Sequence, residues 1–146
     1  MEIRTGQFGV FKNEQFNLVI KDYPSCRLII RKEEITDRQK FIGFKEYAKS
    51  IFILDITCSE IDSAYNVFTY CIYKGFKFQA TEIFRNNKIR IWPSIEAQAH
   101  FGDYLRHGYD PHLDIEESEL EEIWETRTPI EGFKFDVEPI FYIKAV

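Results

Sequence analysis

The chain has 146 residues, 45% of them hydrophobic and 16% aromatic, with a formal charge of −5. That length and apolar content suit one domain, or two small fused ones, with a real core and exclude a disordered chain. Fourteen Phe, eight Tyr and a single Met favour strands over a helical bundle, because aromatic side chains suit a pleated, half-buried surface.

In chain order, Phe8–Phe11 and Phe16–Ile20 flank a polar Lys12–Gln15 turn and predict a hairpin. Tyr23-Pro24-Ser25 breaks the chain, and Cys26–Arg31 predicts a third strand. Glu33–Lys40 reads as loop or a single helical turn, Phe44–Lys49 as another turn of helix, and Ile51–Thr57 as a short apolar strand. Val67–Tyr73, Phe76–Phe84 and Lys88–Trp92 predict three more strands, with turns at Lys74-Gly75 and Arg85-Asn86-Asn87, residue types that tolerate the positive φ of tight turns.

Ser94 is a good N-cap, so Ile95–His107 predicts a helix that Gly108 would stop. Ser118–Glu125 predicts a second helix, with Leu120, Ile123 and Trp124 on one face. Phe133–Val137 and Ile140–Ile143 predict a closing strand pair.

A faint repeat runs through this pattern. Phe11-Lys12-Asn13-Glu14-Gln15-Phe16 is echoed by Tyr73-Lys74-Gly75-Phe76-Lys77-Phe78, and Arg27-Leu28-Ile29-Ile30 by Lys88-Ile89-Arg90-Ile91; Gly132-Phe133-Lys134-Phe135 is a partial third echo. The expected fold is α+β and mainly antiparallel β: an internal duplication of a three-stranded SH3-like unit, with one or two helices in the C-terminal third. One domain over 1–146 is expected, with repeat units at 1–57 and 58–93 and a helical, acidic part at 94–146.

The N-terminus carries no basic-then-apolar pattern of a signal peptide, and no apolar run is long enough to span a bilayer. Cys26, Cys58 and Cys71 lack metal-ligand spacing and are expected to be reduced thiols of a cytoplasmic protein, with Cys71 in the core.

Charge is uneven. Residues 1–93 carry +4 and residues 94–146 carry −9. Asp114, Glu116, Glu117, Glu119, Glu121, Glu122 and Glu125 form a run without a basic residue. It reads either as a solvated helix face or as a docking surface for a basic protein, since it repels nucleic acid and attracts cations. Trp124 within it has the composition of a binding hot spot with a charged rim, or of the helix's buried side.

Chemistry-bearing patterns are sparse. On a helix, His100, Asp103 and His107 would share one face and could ligate a transition metal, with Asp110 or His112 as a fourth ligand; a polar helix end explains them equally. No phosphate loop and no nucleophile elbow occur. Paired carboxylates for acid–base work need contrasting environments, which a dense run does not supply. Arg27, Arg31, Lys32, Lys88 and Arg90 near Trp92 could form a basic-aromatic surface for single strands, yet their alternation with apolar residues is also that of an ordinary outward strand face.

Three segments carry a family likeness: Tyr73-Lys74-Gly75-Phe76-Lys77-Phe78, Glu121-Glu122-Ile123-Trp124-Glu125-Thr126-Arg127 and Pro129-Ile130-Glu131-Gly132-Phe133. Here the chain resembles small bacterial immunity proteins encoded beside polymorphic or contact-dependent toxins, including the Wap-type toxins of Bacillus. The resemblance implies a cytoplasmic inhibitor that binds a basic toxin domain, often a nuclease, and does no chemistry. It implies no cofactor, no direct nucleic-acid partner and no membrane partner. The residues expected to meet the toxin are Glu116, Glu117, Glu119, Glu121, Glu122, Trp124 and Glu125, with Asp103 and Asp110 as outliers. The alternatives are an SH3-like interaction module without catalysis and a metal-dependent enzyme using His100, Asp103 and His107.

Overall fold

Two tight turns set the local architecture. Lys12 and Asn13 have φ of 50° and 68°, and Lys74 and Gly75 have φ of 48° and 83°. Positive φ at both central residues is the two-residue hairpin turn whose twist matches that of the strands it joins. The first turn links β1 (Gly6–Phe11) to β2 (Glu14–Ile20), and the second links β6 (Ser63–Tyr73) to β7 (Phe76–Ile83). Phe11 and Phe16 are buried beside the first, and Tyr73 and Phe78 beside the second. The computed structural model describes residues 1–102 and 111–145.

The remaining elements are β3 (Ser25–Arg31), α1 (Asp37–Ile42), β4 (Lys45–Ala48), β5 (Ile51–Thr57), β8 (Lys88–Pro93), α2 (Ile95–Phe101), β9 (Leu113–Glu116), β10 (Leu120–Pro129) and β11 (Ile140–Lys144). The fold is mainly antiparallel β. The chain divides into two compact units, one of residues 6–66 with 128–137, the other of 1–5, 67–127 and 138–146.

In the first unit the strands lie in the order β4-β5-β3-β2-β1. Alternate residues Phe16 and Leu18 of β2 and Cys26, Leu28 and Ile30 of β3 point into one core with Phe44 and Phe52. Thr36 caps α1 through a reciprocal box with Gln39, which satisfies two orphan backbone donors. Three expectations fail here. The chain from Lys45 to Ala48 is a strand and not a helical turn, because pairing with β5 satisfies its backbone. Phe133–Val137 forms no strand; Lys134 instead accepts a single hydrogen bond from the Ala64 amide. Cys26 and Cys58, expected as reduced thiols, form a disulfide with Cα atoms 5.4 Å apart.

In the second unit β6 carries β7, β8 and β9 in succession on one side and also pairs with β10, which pairs with β11. Cys71, Phe78, Ala80, Ile89, Ile91, Leu113, Ile115, Leu120 and Ile123 fill its core. Helix α2 (N-cap Ser94, whose hydroxyl accepts from the Ala97 amide) ends at Phe101 with Gly102 (φ +56°) as its C-cap, short of the expected stop at Gly108. The expected continuation to His107 lies outside the described residues. The expected second helix at Ser118–Glu125 is absent. A 3₁₀ turn at Glu117–Glu119 leads straight into β10. The apolar spacing of Leu120, Ile123 and Trp124 suggested a helix, but cross-strand pairing of Trp124 with Tyr142 and of Glu125 with Phe141 takes the backbone instead.

Each unit has a hairpin, a third strand, a short helix and a strand closed by a 3₁₀ turn, with β4 added between helix and closing strand in the first. A repeat unnoticed in the sequence marks the closing step. Asp55-Ile56-Thr57-Cys58-Ser59-Glu60-Ile61 matches Asp114-Ile115-Glu116-Glu117-Ser118-Glu119-Leu120. In both, the glutamate carboxylate accepts from the backbone amide three residues earlier, Glu60 from Thr57 and Glu119 from Glu116. In both, the aspartate is gripped by an arginine of the neighbouring strand: Arg27 on Asp55, Arg90 on Asp114. Arg27 therefore corresponds to Arg90 and not to Lys88, two residues from the alignment read from the sequence.

Candidate functional site

The sheet of the second unit arranges side chains in a row across five strands. Tyr142 of β11 stands opposite Trp124 of β10, with ring centroids 6.4 Å apart. Trp124 lies 6.1 Å from Tyr70 of β6. Tyr70 stands opposite Gln79 of β7, which stands opposite Trp92 of β8. The Lys77 ammonium sits 4.1 Å from the centre of the Tyr70 ring, an attraction to the ring's negative face. Trp92 donates to the Thr81 hydroxyl and packs its ring 5.0 Å from His112. Tyr70, Trp92 and Trp124 are half-buried, and Tyr142 is exposed.

Such a row offers large rigid apolar area at little entropic cost, the property of interface hot spots. Between Tyr70 and Trp92 lies a cavity of about 230 Å³, lined also by Lys77, Phe78, Gln79, Pro93 and Ser94. It falls below the volume usual for small-molecule sites and suits a single side chain of a partner.

The acidic residues lie on a strand–turn–strand segment and not on a helix. Glu116, Glu117, Glu119 and Glu121 are exposed, and Glu122 is half-buried. Glu121 also accepts from the Gly75 amide, which ties the segment to the β6–β7 turn. Glu116 lies 4.0 Å from the Lys88 ammonium. Asp103 and Asp110 lie outside the described residues.

Glu125 differs from its neighbours. Its side chain is buried and accepts a two-pronged contact from Arg4, at 2.8 and 3.0 Å, and further bonds from Arg127 at 3.2 and 3.0 Å. Burial pushes its carboxyl up, but Arg4 and then Arg127 favour the anion and hold it below the usual range. It serves the structure and is closed to a partner. Arg127 lies 5.0 Å from the centre of the Phe141 ring, so one buried anion organises the N-terminal segment, β10 and β11.

The other candidate chemistry is dispersed. His100 stacks on Phe76, with centroids 4.4 Å apart; Asp103 and His107 lie outside the described residues. Among the described residues, no three His, Cys, Asp or Glu side chains gather as a metal site. Arg27 and Arg90 are engaged by Asp55 and Asp114. Arg31 pairs with Glu34 and Lys32 with Glu46. Cys71 is fully buried, and burial pushes its thiol up to about 12, so it is no nucleophile at neutral pH. Among the described residues no helix is long and apolar enough to cross a membrane.

The sequence pointed to Trp124 and missed Tyr70, Trp92 and Tyr142 as its companions, since only strand pairing brings them into one row. The signal for the strand was present in the Asp-Ile-x-x-Ser-Glu repeat.

A family model described as "Uncharacterised conserved protein UCP033725" matches residues 3–130. The chain belongs to this family. The match covers both hairpins, the acidic segment and all of β10, and leaves β11 outside it. No curated protein and no solved structure matches the chain.

Proposed function

We propose that this chain is an immunity protein that neutralises a cognate toxin domain by binding it, with no chemistry of its own. The observation that carries the reading is the row Tyr142–Trp124–Tyr70, exposed at Tyr142 and half-buried at Trp124 and Tyr70, together with the exposed carboxylates Glu116, Glu117, Glu119 and Glu121 on the segment that leads into the strand of Trp124. Aromatic anchors give contact energy, and a rim of one charge gives orientation and a fast approach to a basic partner. A nuclease toxin has a basic substrate cleft, so an acidic rim fits that class of target. The likeness of residues 73–78, 121–127 and 129–133 to immunity proteins supports the same reading.

The finer architecture belongs to this proposal: the two units are copies of one duplicated SH3-like unit. Their common order of elements, matched hairpin turns and paired Arg–Asp forks support a duplication. Duplication frees one copy to hold the scaffold while the other evolves a binding face.

The test is co-expression with the toxin domain encoded immediately upstream in the same genome, followed by titration calorimetry of the purified pair. Growth rescue with nanomolar affinity is expected. No rescue and no heat would overturn immunity. Weak binding to many unrelated proteins would favour a general interaction module.

A further inference from the structure

We propose that strand β11 is a self-association edge, on which a second copy of this chain pairs antiparallel through its own β11. Among the strands that end the orders described above, β4, β9 and β11 differ in character. β4 reads Lys-Glu-Tyr-Ala and β9 reads Leu-Asp-Ile-Glu, each short and charged in the manner that keeps natural sheet edges from pairing. β11 reads Ile-Phe-Tyr-Ile-Lys. Its Ile140, Phe141 and Tyr142 are 50%, 50% and 53% exposed, and β10 is its sole strand neighbour among the described residues. An edge that is apolar up to its last residue is a template for another strand.

The ladder with β10 fixes which groups face outward. The Arg127 amide donates to the Pro139 carbonyl at 2.8 Å. Partners in an antiparallel ladder alternate between bonded and non-bonded pairs, and Phe141 stands opposite Glu125. Pro139 and Phe141 therefore direct their backbone groups at β10, and Ile140 and Tyr142 direct theirs away. A twofold axis at Phe141 sets Ile140 of each copy against Tyr142 of the other as bonded pairs. Phe141 then meets its own counterpart as a non-bonded pair.

Charge selects the same arrangement. Exposed Glu138 precedes the strand and half-buried Lys144 ends it, its ammonium donating to the Glu117 and Leu120 carbonyls, so antiparallel pairing brings a carboxylate towards that ammonium at both ends. A parallel pair would set like against like. The shift in register between Ile123 and Trp124 ends the regular ladder, so Glu138 and Lys144 meet as an end contact. Tyr142 also ends the aromatic row of Trp124 and Tyr70, but the inference is carried by the strand edge and does not rest on the toxin-binding reading.

Sedimentation velocity of the full chain, from about 1 to about 300 μM, measures the association, since a one-strand interface is small and concentration-dependent. The mass is expected to rise from 17.4 kDa towards twice that value. Tyr142→Pro removes one outward donor without touching the β10 ladder, and is expected to weaken association about tenfold or more while leaving the circular dichroism spectrum unchanged. Under mild oxidation Phe141→Cys is expected to cross-link two chains, because non-bonded antiparallel pairs bring Cα atoms to about 4.5 Å; the native free thiol, Cys71, is buried. A chain that stays monomeric across the range overturns the proposal. So does a dimer in which Tyr142→Pro changes nothing, or in which Ile140→Cys cross-links as readily as Phe141→Cys.

Discussion

The Arg90 guanidinium forks onto the Asp114 carboxylate, Nε to Oδ1 at 2.8 Å and Nη2 to Oδ2 at 3.0 Å, across a directly opposed pair of β8 and β9. Arg27 and Asp55 do the same across β3 and β5, at 2.7 and 3.2 Å. The fork explains basic residues that a sequence reader assigns to nucleic acid: their charge is spent within the sheet.

Asp114 is lowered from its usual range by the Arg90 hydrogen bonds, yet the pair is solvent-accessible. Exposed pairs contribute little, so Asp114→Asn is expected to cost at most about 1 kcal/mol in urea unfolding. That small contribution is present above the ordinary aspartate pKa and is lost as pH falls through the folded-state value. A loss of several kcal/mol would show that the fork sets strand register and is more than a surface pair.

Glu125 should behave differently, because its carboxylate is buried between Arg4 and Arg127. Removing one partner of a buried pair strands the others, so Glu125→Ala is expected to cost about 3 kcal/mol. Its folded-state pKa is lowered from 4.5, so its stabilisation is complete above that value and falls away as pH drops through the folded-state pKa. Urea midpoints across acid pH should therefore fall less steeply in Glu125→Gln than in the native chain. Equal slopes would contradict the network.

The Cys26–Cys58 bridge closes a sequence separation of 32 residues in the first unit. Restricting the unfolded chain over such a loop is worth about 4 kcal/mol. Reductant, or Cys58→Ser, should lower the melting temperature, and native-state alkylation should still miss Cys71. A melting curve indifferent to reductant would mean that the bridge contributes nothing.

For toxin binding, reversing Glu117, Glu121 and Glu122 to Lys should slow association about tenfold or more and flatten its salt dependence. Trp124→Ala should instead speed dissociation, at a cost of about 2 kcal/mol or more. Unchanged rates in the triple reversal would remove the acidic rim from the interface and leave the aromatic row as its sole anchor.

The hairpins, Ile51–Thr57 and the start of α2 were legible in the sequence because their signals are local. Positive-φ residues lie at the turns, apolar residues alternate in the strands, and Ser94 caps the helix. The acidic segment was not legible as a strand. Leu120, Ile123 and Trp124 satisfy a helical spacing, and only a partner strand from residues 140–144 decides otherwise. Lys45–Ala48 was misread for the same reason, since its strand exists through β5.

By itself, the sequence determined the β-rich class, the repeated hairpin and the acidic character of the last third, all of which follow from residue type and short-range order. Tertiary structure decided which acids face solvent, burying Glu125 between two arginines while leaving Glu117 exposed. It also joined Cys26 to Cys58 and drew Tyr142, Trp124, Tyr70 and Trp92 into one row. These are facts of strand pairing between residues far apart in the chain, and local propensity carries no information about which distant strand a segment will meet.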